Sequence, residues 1–596
     1  EDLLKEAEEA LDEHTKVMEL TVRGVHAATT ALQKVMEKNS LERVKYKDDP
    51  THYMDSELAL HEQISSLKAV AANPVELYRD NATQLSSSTV PLLAGLLSHE
   101  NSDIASSVMN VFVEWLDPTL LVENASTSTM KDFQVLAKSI MEQCLDMIIG
   151  NLGRFTTDLS STEAEDEDPN LTGAEDTLTW IEHMLELDTV MGGNLLVSED
   201  DKEEGSFTSA ASKILKDTLF LSWLLPHATD STSSIQGHAA EVLSFLLQHE
   251  DAPKCVPDIS NIPPYESFFE DDNDSATKKG KNATTKIDGM ELILQTIASW
   301  RKKQPSTEDE CEILENLCLT LASCMFSPQN VEQFLEAQGP ELVLRCLKER
   351  VHAGGAALKV LDFMGSDPIY KKACEQMVEA GGLKYIFPIF MGRSIPKPAP
   401  CSDAGKKKLV ASSGTNTALT PQQQKTNKKI QHARKEWLQG LEDTIIRIVY
   451  SLTRHIHPDS PNDAFERLLV KFLEADCEKC DRLVELCLKY DEKSRTAEYN
   501  FYRTTEEDDL EDQEGSAVEL AALNAKLKGG GDLFHRVGAV AAFACVGSKR
   551  CHNHVLKQLT LQKSGIGTVK AALEEFAKML GTGNQKDQLD KYLSEI

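Results

Sequence analysis

Cysteine and histidine occur in two short groups whose spacing could bind a metal ion. They are Cys477-Glu-Lys-Cys480, with Cys487, His455 and His457 nearby, and Cys551-His-Asn-His554. A structural zinc site needs four such ligands that converge from tight turns. Residues 472–490, however, show the apolar periodicity of one helix, in which cysteine is an ordinary small core residue. The second group lacks a matching pair, so we predict no metal site.

The sequence contains none of the common catalytic motifs. It has no glycine-rich phosphate loop between a strand and a helix, no HExxH and no nucleophile elbow. Lys278-Lys-Gly-Lys281 resembles a phosphate loop only superficially, because the first glycine and the final Ser or Thr are missing. We therefore predict no catalytic residue, no cofactor and no enzyme activity. An enzyme stays an alternative, since a helical fold can carry a grafted site.

Carboxylates are the remaining side chains that could have a functional role, in this case electrostatic attraction. Glu114 and Asp117 close one long helical pattern, Glu182 and Glu186 lie one turn apart on the next, and Asp362 belongs to a later one. If such helices stack as repeats, the last helix of each repeat lines a concave groove. Acids stacked there would attract a basic peptide. The alternative is a solvated outer face, because helix phase alone does not fix which side turns inward.

Helical periodicity is the dominant signal along the chain. In the pattern that starts at Asn101, apolar residues recur at steps of three and four as far as Leu116. Ser102 or Asp103 can cap this helix, and Pro118 ends it. Similar segments recur about every forty residues, a period typical of helical repeats that bury their apolar faces by stacking. The sequence predicts an all-α, armadillo/HEAT-type right-handed α-solenoid.

Composition divides the chain into four parts. They are an N-terminal helical extension (1–40), an armadillo-repeat array (41–392), a basic disordered loop (393–435) and a C-terminal armadillo-like helical region (436–596). Acidic inserts are expected near 158–176, 198–205, 251–286 and 504–531. The basic loop holds ten Lys or Arg and one acid, Asp403. Its lysines could form an import signal or fold back on the acidic groove, while a solvated linker is the simpler interpretation.

Charge and cysteine usage narrow the classes of function. The chain has 62 Lys plus Arg and 96 Asp plus Glu, a formal charge of −34. Such a surface repels phosphate backbones, so we expect basic partners and no general nucleic-acid binding. The 13 cysteines show no disulfide framework, which indicates reduced thiols in the cytosol or nucleus. No apolar run approaches a membrane span of about 18 residues. The chain starts at Glu1 without Met, so we expect that it is trimmed and leave an N-terminal signal open.

Several ungapped segments resemble one known family. They include Tyr46-Lys-Asp-Asp-Pro-Thr-His-Tyr-Met-Asp-Ser-Glu-Leu58, Leu92-Leu-Ala-Gly-Leu-Leu-Ser-His-Glu-Asn-Ser-Asp-Ile104, Trp300-Arg-Lys-Lys-Gln-Pro-Ser-Thr307, Ala357-Leu-Lys-Val-Leu-Asp362 and Tyr385-Ile-Phe-Pro-Ile-Phe-Met391. Together they resemble the beta-catenin-like protein 1 family over residues 41–490, with a weaker likeness over 531–581. The chain departs from that family in three ways. It carries inserts at 158–176, 251–286 and 393–435, and its segment after Tyr490 is shorter. The family's usual N-terminal leader is absent or trimmed.

The resemblance implies a non-catalytic armadillo scaffold of the nucleus that acts in pre-mRNA splicing. It also implies association with the nineteen complex and its cell-division-cycle-5-like subunit, and recognition of basic nuclear-localisation-type segments of splicing factors. With the acids above, it predicts capture of an extended Lys/Arg peptide on an acidic concave surface. No membrane or sequence-specific nucleic acid is expected, and a homodimer is compatible with this family. The alternative is a nuclear-transport-like or ubiquitin-ligase-associated armadillo adaptor.

Overall fold

The computed structural model describes most of the chain, in two compact units. The described residues are 21–47, 49–72, 82–123, 127–155, 169–196, 209–265, 286–363, 369–408, 421–504 and 515–596. The units comprise Glu1–Leu292 and Ile293–Ile596. This division does not coincide with the predicted boundary at 393–435. Apart from one antiparallel bridge between Ile262 and Ile287, the described residues contain no β-structure, as expected of an all-α protein.

The first unit is built from a succession of helices, four of which form one row. In chain order they are α1 (Val22–Lys45), α2 (Met54–Ser66), α3 (Val90–Leu97), α4 (Ser102–Trp115), α5 (Thr119–Glu123), α6 (Thr127–Phe155), α7 (Pro169–Val190), α8 (Ala210–Asp217), α9 (Phe220–Thr229), α10 (Gln236–Gln248) and α11 (Ala252–Cys255), and α12 (Gly289–Ser299) starts at its end. Helices α2, α4, α7 and α10 pack side by side in that order. They form the row that carries the predicted acids.

Helix α4 shows how the sequence fixes one member of the row. The side chain of Asn101 accepts a hydrogen bond from the Asp103 N–H at 3.0 Å, so the cap is one residue earlier than predicted. Its apolar face, which includes Val108, Phe112 and Trp115, is fully buried. The indole Nε1 of Trp115 donates to the Leu67 carbonyl at 2.8 Å. These contacts anchor α4 and leave its polar side facing outward.

Helix α7 corrects the predicted insert at 158–176. Residues 169–176 form the first two turns of this helix, and residues 156–168 lie outside the described part. Gly173, which favours a loop in sequence, is a packing residue, because a Cβ there would lie 2.9 Å from the ring of Phe155 in α6. The insert predicted near 198–205 falls outside the described residues. Of the insert predicted near 251–286, residues 266–285 are also outside them, while Ala252–Cys255 form the short helix α11.

The second unit repeats the same arrangement. Its helices are α13 (Glu308–Cys324), α14 (Pro328–Glu336), α15 (Gly339–Glu349), α16 (His352–Asp362), α17 (Ile369–Glu379), α18 (Leu383–Phe390), α19 (Pro421–His455), α20 (Ala464–Thr504), α21 (Gly515–Lys526), α22 (Asp532–Gly547), α23 (Lys549–Leu561), α24 (Gly567–Leu580) and α25 (Asn584–Glu595). Helices α13, α16, α19 and α22 form one row, and α14, α17 and α20 form a second. Contacts between every third helix are those expected of three-helix armadillo repeats.

The prediction that 393–435 is a disordered loop is wrong for residues 421–435, which are helical. Helix α19 begins at Pro421, and residues 393–408 follow a defined path. In that path the Lys397 N–H donates to the Arg350 carbonyl at 3.1 Å. Lys406 forms ion pairs with Asp403 and Glu308 in its own unit. Lys, Gln, Ala and Arg are good helix formers, so a polar composition did not exclude a helix here. Residues 409–420 lie outside the described part.

The acidic insert predicted near 504–531 is also partly helical. Residues 515–526 form α21 and 527–531 continue as a wider helical turn, while 505–514 are outside the described residues. No described helix is both long and apolar enough to cross a membrane.

Candidate functional site

The acids predicted in the first unit lie at the carboxyl end of α4 and on α7, two helices that pack against each other. We call Glu114 and Asp117 of the α4 end, with Glu182 and Glu186 of α7, the acidic face. His183 of α7 lies among them. Burial lowers the pKa of this imidazole, although Asp117, Glu182 and Glu186 oppose that shift. The histidine is therefore biased towards its neutral form.

The four carboxylates differ in how available they are. Glu114 and Glu186 are exposed, and Asp117 is half-buried. The Oε2 atom of Glu182 lies 3.4 Å from Nε2 of His238 in α10. Its other oxygen, Oε1, is buried, and no described residue donates a hydrogen bond to it. An unsatisfied buried carboxylate oxygen is costly and is relieved by a donor from a ligand or water.

Asp176 extends the acidic face and was missed by the sequence analysis. It accepts hydrogen bonds from the Asn110 side chain at 3.1 and 3.3 Å. Burial raises its pKa to about 6, with Glu175 and Glu114 adding to the rise and Lys68 opposing it. The seven-residue spacing from Asp176 to His183, which is two helical turns, could have revealed it, but the predicted insert ended at this residue.

A groove of about 740 Å³ lies between α2, α4 and the start of α7, and of the acids discussed above only Asp176 lines it. Its lining combines three acids, Glu57, Asp103 and Asp176, with Lys68 and the exposed apolar side chains of Met54 and Leu58. A Lys or Arg side chain has an apolar stem and a charged head. The groove offers both kinds of surface that such a side chain needs.

Asp362 does not belong to this face. It lies in the second unit, at the end of α16, and its side chain is only 8% exposed. Its Oδ2 atom accepts a hydrogen bond from Arg447 Nε of α19 at 2.5 Å. Burial raises its pKa, and Arg447 opposes the rise. The prediction that Asp362 lines a binding surface is corrected, because its carboxylate is committed to an ion pair that joins two helices.

Cys311, Glu315 and His352 form a compact cluster in the second unit with a metal-like composition. Nε2 of His352 lies 2.9 Å from Glu315 Oε1 and 3.3 Å from Cys311 Sγ. Nδ1 of the same ring accepts the Ala399 N–H at 3.2 Å. Because Nδ1 is an acceptor, the neutral ring carries its proton on Nε2, which then donates to Glu315. This tautomer leaves no lone pair for a metal and fits a hydrogen-bonded junction instead.

The cysteines and histidines noted in the sequence do not converge as one set of metal ligands among the described residues. Cys487 is buried in α20, and His455 packs edge-to-face on Tyr370 with ring centroids 4.8 Å apart. Cys477 and Cys480 instead lie against Cys551, so the CxxC group and the Cys551 group are neighbours.

Continuous rows of every third helix define the class of armadillo-type helical-repeat proteins. Within that class, the chain belongs to the family described as "Catenin-beta-like, Arm-motif containing nuclear", whose family model matches residues 1–201 and 205–574. The predicted resemblance is thus confirmed, and it extends beyond residue 490.

Curated relatives agree with this family. Beta-catenin-like protein 1 of Rattus norvegicus is 27% identical over 562 residues, which cover 92% of this chain and 80% of the relative. The Homo sapiens protein of the same name is 27% identical over 560 residues with the same coverage. A homolog from Schizosaccharomyces pombe is 25% identical over 376 residues, 62% of this chain and 55% of its own.

Proposed function

We propose that this chain is a non-catalytic nuclear adaptor that captures extended Lys/Arg-rich segments of other proteins on its acidic face. The observation that carries the proposal is the meeting of acids from α4 and α7 around a histidine biased towards its neutral form. Carboxylates from separate helices add their fields over one patch, which raises the local concentration of a basic segment.

The partly buried acids give the patch its selectivity for cations. Asp176 holds a raised pKa because burial and neighbouring carboxylates disfavour its charged form. An ammonium or guanidinium group placed nearby reverses that penalty and also supplies the donor that Glu182 Oε1 lacks. Capture of a basic side chain therefore removes a cost already present in the free protein, and a neutral peptide gains nothing equivalent.

We assign the adaptor to pre-mRNA splicing on the strength of its family. The resemblance points to the nineteen complex, and to basic segments of its cell-division-cycle-5-like subunit and of other splicing factors, as the partners. Membership of a nuclear armadillo family supports this compartment. Co-purification of those subunits with the tagged full chain from nuclear extract is the expected result, and their absence would contradict the splicing assignment.

The binding mechanism is tested by titrating a labelled Lys/Arg-rich peptide into the full chain at low and at physiological salt. The double reversal Glu182→Lys/Glu186→Lys should lower affinity about tenfold or more, since each lost charge pair is worth up to about 1 kcal/mol and repulsion adds to it. Added salt should weaken wild-type binding as well.

A matched control separates this local effect from net charge. Glu332 and Glu336 have the same four-residue spacing on α14 and are exposed, but belong to the second unit. The double reversal Glu332→Lys/Glu336→Lys changes the formal charge equally and should leave affinity nearly unchanged. Equal losses in both variants would show that the peptide senses only the overall charge, and the acidic face would not be the site.

A further inference from the structure

The first half of helix α19 carries a row of lysines on its exposed side. Successive residues of an α-helix are about 100° apart around the axis, so positions 425, 428, 429 and 435 share about a third of the circumference. Ile430 and Leu441, which are 3% and 7% exposed, lie on the opposite side and pack inward. All four residues of the row are exposed lysines. They form a basic stripe about 15 Å long that faces solvent: Lys425, Lys428, Lys429 and Lys435.

A second basic segment meets this stripe in the folded chain. The carboxylate of Asp403 lies between the two, with Oδ1 2.9 Å from Lys406 Nζ and Oδ2 2.8 Å from Lys429 Nζ. Lys407 and Lys408 follow directly and are exposed. Asp403 is the single acid among residues 393–435. We call residues 406–408 together with the stripe the basic patch, which the fold assembles from two separate segments of sequence.

Most of the charge in the basic patch has no counter-charge. Among the described residues, acids pair with Lys406 and Lys429 of this patch. Glu436, which follows the stripe, pairs with His432 at 3.1 Å. Like charges this close repel each other, so an anion that spans them relieves a cost present in the free protein. Five lysines of the patch form no ion pair with any described residue, in a chain that contains 96 Asp plus Glu: Lys407, Lys408, Lys425, Lys428 and Lys435.

The basic patch lacks the aromatic and apolar anchors that dominate protein–protein interfaces. The ring of Trp437 in the same helix stacks on His352, with centroids 5.2 Å apart. Leu438 is 43% exposed, but it lies about 120° around the helix from the centre of the stripe. Binding to a phosphate backbone needs only positive charge, and lysine binds phosphate as a point charge. The patch is therefore better suited to a polyphosphate strand than to a protein surface.

We propose that the basic patch binds the phosphodiester backbone of a single-stranded nucleic acid without reading its sequence. Lysines one helical turn apart are spaced by about 5.4 Å, which is comparable to the step between neighbouring phosphates of an extended strand. The formal charge of −34 argues against general nucleic-acid binding, and the patch is a local exception. At physiological salt each charge acts over about 8 Å, so acids elsewhere on the chain do not cancel it. The site is distinct from the acidic face and does not depend on the proposed function.

The test is fluorescence anisotropy of a labelled single-stranded RNA of about 20 nucleotides, titrated with the full-length chain at several salt concentrations. If the five unpaired lysines contact phosphates, log Kd should rise with log salt concentration with a slope of about 3.5. The triple variant Lys425→Gln/Lys428→Gln/Lys435→Gln should lower that slope by about 2 and weaken binding at low salt at least tenfold. Lys425→Arg/Lys428→Arg/Lys435→Arg keeps the charges and should keep the affinity.

A matched control changes the same formal charge elsewhere in the second unit. Lys302, Lys557 and Lys578 are exposed and lie on three separate segments. The triple variant Lys302→Gln/Lys557→Gln/Lys578→Gln should leave RNA affinity within about threefold of wild type, because these lysines do not form a row. A DNA strand of the same sequence, and an RNA of different sequence, should also bind wild type within about threefold, since the patch holds no group that stacks on bases.

Other results would overturn the proposal. A wild-type chain that binds no RNA at low salt, or equal losses in the two Lys→Gln triple variants, would exclude the patch as a nucleic-acid site. A preference above tenfold for one sequence or for one sugar would contradict binding through the backbone alone. A poly-glutamate peptide of equal charge that bound as tightly as RNA would identify an acidic protein segment as the partner instead.

Discussion

At the scale of single residues, the acidic face depends on how deeply each carboxylate is buried. Glu114 and Glu186 are exposed and supply charge that salt will screen. Asp176 is partly buried, and its pKa of about 6 makes its charge depend on pH near neutrality. The electrostatic attraction of this surface therefore has a long-range component from the exposed acids and a short-range component from Asp176.

Replacing Asp176 should stabilise the first unit at neutral pH. The folded state holds the Asp176 proton more tightly than the unfolded chain does, since the pKa rises from 3.8 to about 6. The bound proton therefore stabilises the folded state fully below pH 3.8. This stabilisation is lost as the pH rises from 3.8 through 6, and the loss is at most about 3 kcal/mol. Asp176→Asn removes that cost and keeps a partner for Asn110. Urea unfolding should show a variant more stable than wild type at both pH 5 and pH 7, with about half of the pH 7 advantage at pH 5.

Asp103 provides the control for this pH experiment. It is exposed on α4 and lines the same groove. Asp103→Asn should change stability by less than about 0.5 kcal/mol at either pH. A variant of Asp176 that behaved like Asp103→Asn would mean that Asp176 is solvated in solution and that its burial does not shape the face.

The Asp362–Arg447 pair gives a second prediction at residue scale. Arg447→Met leaves the nearly buried carboxylate of Asp362 without its partner. The substitution should lower the free energy of unfolding by about 3 kcal/mol. The double variant Asp362→Asn/Arg447→Met removes the stranded charge and should recover much of that loss. A double variant no more stable than Arg447→Met, measured by chemical unfolding, would contradict an ion pair of this kind.

Residue spacing selected the four candidate acids of this face, but it could not reveal the fate of Asp362. The sequence could single out Glu114, Asp117, Glu182 and Glu186, because each of them ends or follows a regular apolar stripe. The partner of Asp362 is 85 residues away, and helix phase carries no information about a residue so distant. Asp176 was missed because the acidic run before it resembles a surface loop.

At the scale of helices, the repeat architecture was predictable and several boundaries were not. Apolar stripes with a period near 3.6 revealed α4, α7, α10 and α13, because each buries one face. Composition misled at α19, whose first turns are polar and basic although its later turns are buried. A helix stabilised by packing at one end can extend a polar segment that composition alone assigns to a loop.

Two helical glycines should respond oppositely to alanine. Gly173→Ala places a Cβ 2.9 Å from Phe155 and should destabilise the first unit by about 1 to 3 kcal/mol. Gly440 in α19 has no atom within 4 Å of such a Cβ, so Gly440→Ala should stabilise by up to about 1 kcal/mol. Thermal unfolding followed by circular dichroism measures both. Stabilisation by Gly173→Ala would argue that α6 and α7 do not pack as described.

At the scale of the whole molecule, a formal charge of −34 opposes compaction while it attracts basic partners. Both effects are electrostatic, but salt moves them in opposite directions. Screening relieves repulsion within the folded chain and at the same time weakens the field that a basic peptide senses.

Raising sodium chloride from low to physiological concentration should therefore raise the unfolding temperature of the free protein and lower its affinity for a Lys/Arg peptide. Sucrose stabilises folded proteins by exclusion from their surface, without screening charge. It should raise the unfolding temperature and leave peptide affinity nearly unchanged. If salt lowered both the unfolding temperature and the peptide affinity, repulsion between like charges would not limit the stability of this fold.

The row of helices α2, α4, α7 and α10 also bears on how the protein is made. Each helix in it packs on a neighbour that the ribosome has just synthesised or is about to synthesise, so the row can grow in the order of translation. Residues 1–292 contain the whole acidic face and form their own compact unit. A nascent chain could thus present its peptide-binding surface, and engage a partner, while its carboxyl-terminal half is still unmade.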